Sequence, residues 1–355
     1  MADELLLRDW TRLTDVTVVE LNDDGVTLRD GRLIGWDRIE SGQIGVDQQA
    51  AFDQSIRDLG EPLFRLRQRL QLSDDDQVLE LAESLWPRYR ERTGEAAMLV
   101  SVGLMRGRLA AGQRASAVLP YLFFLQQLQR SDVDGTSERA GLDEASVHRA
   151  QREFGVSIDP ATGLCGNLLP LWQDSDAAQA ASQELLEWLA KQPPPLPLSA
   201  SVYAATLAAF AGDPDAAQTQ LEAIPLASDA LIELRTVVTW QLALQQEPAM
   251  SIRSIESNLD KLLPRNQAIA LYWLGVAGLN VNNDNRQQIA RLHLLQIPAE
   301  HPGEADAAAA ALHEVVEYYR THAANATAAT DLITVRAELL KAYPNSWFAE
   351  QERER

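Results

Sequence analysis

The chain has 355 residues, 46% of them hydrophobic, and a mean hydropathy of -0.20, which predicts a folded protein with one large core or two to three smaller ones. A formal net charge of -20 and a pI of about 4.6 argue against nucleic acid and anionic membrane surfaces as partners and favour basic ones. No apolar run approaches the ~18 residues of a membrane span, the N-terminal MADELLLRDWTRL does not read as a secretory signal, and the lone Cys165 cannot form an internal disulfide, so a cytoplasmic location is expected.

Residues 1–45 read as a small antiparallel β meander. The β-branched runs 16–21 and 26–28 flank Asn22-Asp23-Asp24-Gly25, a hairpin turn, and Asp30-Gly31 leads on to Leu33, Ile34 and Trp36. Three short strands need a partner surface. Trp10 and Trp36 are the side chains expected to dock this cap onto helices; a small Sm-like or SH3-like ligand-binding barrel is the alternative.

Residues 46–130 read as helical. Leu79, Leu81, Ala82, Leu85, Trp86 and Tyr89 recur at three- and four-residue steps. Ser73 with Asp74, Asp75 and Asp76 resembles a capped helix start, and Pro87 kinks or ends that helix. Two very apolar helices are predicted over 95–111 and 114–129, joined near Gly112. Residues 131–173 lose periodicity, apart from a short helix over 143–153, and read as a Gly-rich binding loop or crossing linker. Residues 174–355 are helical again. The run PPPLP over 193–197 is expected to be extended and stiff, and helical hairpins are predicted over 198–346. Pro225, Pro264, Pro302 and Pro344 lie 39, 38 and 42 residues apart, a spacing characteristic of a helical repeat.

The stretch YAATLAAFAGDPDAAQTQLEAIP, residues 203–225, carries alanines on both sides of one tight turn. Small residues let two helix axes approach closely, so Ala204, Ala205, Ala208 and Ala209 meeting Ala216 and Ala217 predict the contact seam of a hairpin. Gly212 supplies a left-handed stop and Pro214 opens the second helix. The order Gly212, Ala217, Leu221, Pro225 resembles the tetratricopeptide repeat (TPR). Leu274-Gly275 with Ala290, Leu294 and Pro302 is similar, Gly112, Ala117 and Tyr121 form a fainter copy, and Tyr343-Pro344-Asn345-Ser346 looks like an exit from the last repeat. The resemblance implies a mainly α protein: a TPR-like α-solenoid of helical hairpins behind the β meander. It also implies a concave groove lined by Val202, Thr206 and Phe210 of one hairpin and Tyr272, Val276 and Asn280 of another.

The motifs of catalysis are incomplete. There is no phosphate loop, dinucleotide fingerprint, Gly-x-Ser-x-Gly elbow or Cys-x-x-Cys. His313 and Glu317 lie four apart, with His322 beyond, but a zinc-peptidase helix would carry His where Glu317 stands; His293 or His301 would have to complete a site. Asp132, Asp134 and Thr136 begin like a calcium loop that fails at Ser137 and Asp143. Asp159 and Asp174 bracket the Gly-rich loop as potential acid–base carboxylates, with a turn role for Asp159-Pro160 as the competing reading. No metal or cofactor is expected. The leading expectation is a non-catalytic protein-interaction scaffold whose protein or peptide partner has basic flanks. The alternatives are an enzyme or accessory subunit with a site between the β cap and loop 155–173, and a structural subunit of a homo-oligomer.

Overall fold

The computed structural model describes residues 3–131, 142–322 and 326–355. The structure is mainly helical, with 67% helix, about twice the usual share for globular proteins. No helix among the described residues is long and apolar enough to cross a membrane. The chain forms two compact units. The first comprises Met1–Ala111, Pro120–Thr136 and Arg152–Phe154; the second comprises Gly112–Leu119, Ser137–Gln151 and Gly155–Arg355.

The first unit opens with β1 (Asp3–Leu7), β2 (Arg12–Val16), β3 (Val18–Leu21), β4 (Gly25–Leu28), β5 (Leu33–Gly35) and β6 (Ile39–Gln43). The predicted meander is the sheet β3-β4-β5. A second antiparallel sheet, β2-β1-β6, joins the two ends of the segment. Its strand β1 was not legible because Asp3-Glu4-Leu5-Leu6-Leu7 lacks a clean period of two. Asp3 is buried and accepts a hydrogen bond from the Val18 N–H at 2.7 Å, so a carboxylate occupies an inward position where an apolar residue would be sought. The Asn22 turn forms as predicted: its side chain accepts from the backbone N–H groups of Asp24 and Gly25.

Trp36 docks the cap as expected. It is fully buried, packs on Phe52 at 5.7 Å and donates to the Asn22 carbonyl at 2.6 Å. Trp10 does not: it is 79% exposed, with φ 67°, at the tip of the β1–β2 hairpin, a left-handed position that glycine usually fills.

The helices of this unit begin with α1 (Val46–Ser55), which passes through one π turn at residues 56–60 into α2 (Glu61–Leu72). Ser73 is the left-handed C-cap of α2, with φ 54°, rather than the start of the next helix. A short 3₁₀ turn intervenes before α3 (Val78–Tyr89), which buries Val78, Ala82, Leu85 and Tyr89. Pro87 sits in its last turn. Then comes α4 (Glu95–Ala110), and the chain continues through α5 (Arg114–Ser131), both close to their predicted bounds, and α6 (Glu144–Phe154), the residues of α5 and α6 being divided between the two units. Ion pairs fasten the cap to the helices: Arg67 bridges Asp37 at 2.6 Å and Glu95 at 2.9 Å, Arg38 also holds Glu95, and Arg88 and Arg92 both hold Asp23.

The second unit contains α7 (Ser175–Leu189) and then paired helices: α8 (Ala200–Phe210) with α9 (Pro214–Glu222), α10 (Asp229–Gln246) with α11 (Pro248–Glu256), α12 (Pro264–Leu279) with α13 (Asp284–Glu300), and α14 (Ala305–His322) with α15 (Ala326–Ala342). The chain ends in α16 (Trp347–Glu354). The four spaced prolines fall just before α10, at the first residue of α12, and just before α14 and α16. Pro264 stands at the first helical position, where its missing N–H costs nothing; the other three lie in the connections, three or four residues ahead of the next helix. In the run 193–197 the Pro194–Pro195 peptide is cis.

The alanine seam is present: Ala208, Ala209, Ala217 and Leu242 form one buried cluster with Ala216 against it, and Gly212 turns the chain at φ 79°. In the α12–α13 pair, a Cβ on Gly278 would lie 2.7 Å from the Ala290 Cβ, and one on Gly275 would overlap Leu294. The first unit uses the same device, since a Cβ on Gly107 of α4 would lie 2.7 Å from the Leu79 Cα of α3. Gly107→Ala is therefore expected to destabilise the protein by about 1–3 kcal/mol, outweighing the ~1 kcal/mol that alanine contributes to helix propensity. Urea denaturation checks this; a variant as stable as the parent would mean that α3 and α4 separate freely.

Candidate functional site

The Gly-rich loop 155–173 connects α6 to α7. Gly155, at φ 67°, stops α6. The next residues bury Leu164, Cys165, Leu168, Leu169, Leu171 and Trp172 despite having almost no regular structure. Buried backbone must find hydrogen-bond partners, and side chains of the second unit supply them. Arg114 pairs with Asp306 through two bonds of 2.9 and 2.6 Å. The pair straddles Leu169, whose carbonyl accepts from Arg114 at 2.9 Å and whose N–H donates to Asp306 at 3.1 Å. The Tyr203 hydroxyl accepts from the Cys165 N–H at 3.2 Å and donates to the Leu168 carbonyl at 2.8 Å. Nearby, Tyr272 and Gln173 both donate to Glu314, at 3.0 and 3.1 Å.

The electrostatics of this cluster oppose catalysis at neutral pH. Burial raises the Cys165 thiol to about 12 and drives the Tyr203 and Tyr272 hydroxyls well above the ordinary phenol value. Burial also raises Glu314, against its two hydrogen bonds. Burial works against the Arg114 cation, but Asp306 outweighs it. Cys165, Tyr203 and Tyr272 keep their protons, Arg114 keeps its partner, and Arg114, Asp306 and Tyr203 position backbone. The two loop carboxylates are also occupied. Asp159 closes a turn through the Ala161 N–H and the Thr162 hydroxyl and faces Arg265 at 3.5 Å; Asp174 caps α7 by accepting from the Ala177 N–H. The acid–base reading of Asp159 and Asp174 is thus replaced by a structural one.

The groove positions divide. Val202, Thr206 and Tyr272 are 0%, 1% and 0% exposed. They belong to the core because α8 is packed by α7, α9 and α10, and α12 by α10, α13 and α14, leaving those faces no access to solvent. Phe210, beside Trp273 at 5.6 Å, and Val276 are half-buried, and Asn280 is exposed at the end of α12.

The metal near-motif gains a member that sequence spacing did not reveal. His313, Glu317 and Glu352 bring ligand atoms within 4.8 Å of one another. Glu352 lies 39 residues beyond His313, on a different helix, so no local pattern connects them. Arg320 and Arg355 hold Glu317, while Arg320 and Arg336 hold Glu352. Three guanidiniums around two carboxylates repel a divalent cation. His322 lies elsewhere, stacked on Tyr318 at 4.4 Å, and His293 faces Glu256 at 3.6 Å. Asp132, Asp134, Thr136 and Ser137 lie outside the described residues, and Asp143 caps α6.

Compared with protein-family models, curated proteins and solved structures, the chain matches none of them.

Two outcomes follow from the buried cluster. Asp306→Ala leaves Arg114 charged and unpaired, and is expected to cost about 3–5 kcal/mol in urea denaturation; a loss under about 1 kcal/mol would mean that water screens the pair. Cys165 should resist a thiol reagent at pH 8 until the chain unfolds, and rapid native-state labelling would contradict its burial.

Proposed function

We propose that this chain is a non-catalytic interaction scaffold, an α-solenoid of TPR-like hairpins that binds a protein or peptide segment. The observation that carries the reading is the packing of α8, α10, α12 and α14 in succession, the last three each beginning at or shortly after one of the spaced prolines. Such nearest-neighbour stacking of first helices is what a helical repeat array requires. A net charge of -20 favours a segment with basic flanks, attracted at long range.

Of the six groove positions, Phe210, Val276 and Asn280 keep access to solvent and are the ones available for contact. The test uses the full chain as bait, followed by calorimetry with each recovered partner after purification. Val276→Asp is expected to weaken binding about tenfold or more with its Tm nearly unchanged. Tyr272→Ala should instead lose about 3–5 kcal/mol of stability. The groove reading fails if a purified partner binds Val276→Asp as tightly as the parent and only unfolded variants lose binding.

A further inference from the structure

Loop 155–173 is anchored differently from the rest of the core. Its own regular pairing is limited to one β-bridge, Ile158 with Cys165. Its anchors are side chains of other elements, and they come from each of the four first helices. Tyr203 of α8 binds the Cys165 N–H and the Leu168 carbonyl. Ser228, which caps α10, donates to the Ala161 carbonyl at 3.1 Å. Arg265 of α12 faces Asp159. On α14, Asp306 accepts from the Leu169 N–H and Glu314 accepts from Gln173. Arg114 of α5 takes the Leu169 carbonyl. Meanwhile Leu164, Leu168, Leu169, Leu171 and Trp172 are at most 2% exposed. Bonds to the main chain combined with buried side chains are how a protein holds an extended peptide.

Two further observations separate this segment from an ordinary core loop. Its neighbours are closed without it. Gly155 ends α6 with its N–H returned to carbonyls of that helix, and Asp174 caps α7 with its own carboxylate. The segment can therefore leave its seat without uncapping either helix. The contact is also incomplete. Trp172 Nε1 on the segment, and Arg114 Nε and Ser199 Oγ on the surface beneath it, are buried without a hydrogen-bond partner among the described residues. Arg114 and Ser199 are 7% and 0% exposed. Buried donors left unpaired are costly, so the segment in place is not the best ligand this surface can hold.

We propose that residues 160–173 are a resident ligand: Arg114, Tyr203 and Asp306 form a site for an extended apolar peptide segment, this chain's own stretch 164–172 fills it, and a partner segment enters by replacing that stretch. The inference rests on the reading of the second unit as an interaction scaffold and names the segment it takes. Arg114 and Asp306 grip the carbonyl and the N–H of one residue, so they require an extended backbone and exclude proline at that position. Identity is read by apolar side chains spaced as in 164–172. Gly163, at φ 71°, marks where the segment passes the start of α8, since a Cβ there would lie 3.3 Å from Ser199 Oγ. A partner carrying a side-chain oxygen that reaches Arg114 Nε would satisfy a donor that the resident stretch leaves unpaired.

The test needs no partner, so it can fail while the scaffold reading stands. A fluorescent synthetic peptide of residues 160–174, with Cys165→Ser to prevent oxidation, is titrated by anisotropy against the parent and against the full chain carrying Leu168→Ser, Leu169→Ser and Trp172→Ala. An intact resident segment competes at high effective concentration, so the variant should bind the peptide at least about tenfold more tightly than the parent. A second peptide with Leu169→Pro, which cannot donate to Asp306, should not bind. The proposal is overturned if a helical variant binds the peptide less than about tenfold more tightly than the parent, or if the proline peptide binds as well as the first. Should the variant lose its helices, it is refolded with the first peptide present: recovery of the helical circular dichroism supports the resident ligand, and no recovery overturns it.

Discussion

Much of the second unit depends on one buried ion pair, Arg114 with Asp306. An irregular loop usually stays at the surface because its peptide groups need water. Here the loop 155–173 is drawn into the core, and the ion pair makes that possible by serving both the N–H and the carbonyl of Leu169. Tyr203 does the same for the Cys165 N–H and the Leu168 carbonyl. With four backbone groups satisfied, Leu164, Leu168, Leu169 and Leu171 can be buried, each contributing roughly 1.5–3 kcal/mol. The cost of desolvating Arg114 and Asp306 is offset by those bonds. Removing one partner strands a charge as well as one peptide group of Leu169.

Elsewhere in the molecule the same economy recurs: arginines are committed to internal carboxylates. Arg67 and Arg38 share Asp37 and Glu95, Arg88 and Arg92 share Asp23, Arg265 joins Asp159 to Glu304, and Arg320 and Arg336 share Glu352. Each such pair cancels charge locally, so the acidic surplus falls on carboxylates without a cation. The paired charges fix the chain's own helices at short range. Burial holds the protons of Cys165, Tyr203 and Tyr272 and raises the Glu314 carboxyl.

Helix–helix distance is set by a second constraint. Gly275 and Gly278 of α12 sit against Leu294 and Ala290 of α13, and Ala208 and Ala209 sit against Ala217. With the axes this close, side chains one turn further along have no open face. Val202, Thr206 and Tyr272 are buried for that reason, whereas Phe210, Val276 and Asn280, near the ends of α8 and α12, keep partial access.

The sequence by itself determined the helices, their turns and most of their partners in hairpins. Those features rest on local rules: period, glycine and proline placement, and small residues at a seam. The meander β3-β4-β5 was legible through its turns at Asn22 and Asp30 for the same reason. Only the tertiary structure decided the sheet β2-β1-β6, in which β1 joins a strand more than thirty residues away, and the exposure of Trp10. It also decided the burial of loop 155–173 and the meeting of His313 with Glu352. Apart from Trp10, each of these joins residues far apart in the chain, where spacing carries no signal, and the sheet and the loop are settled by buried polar groups, Asp3, Arg114, Asp306 and Tyr203, that find their partners in distant backbone.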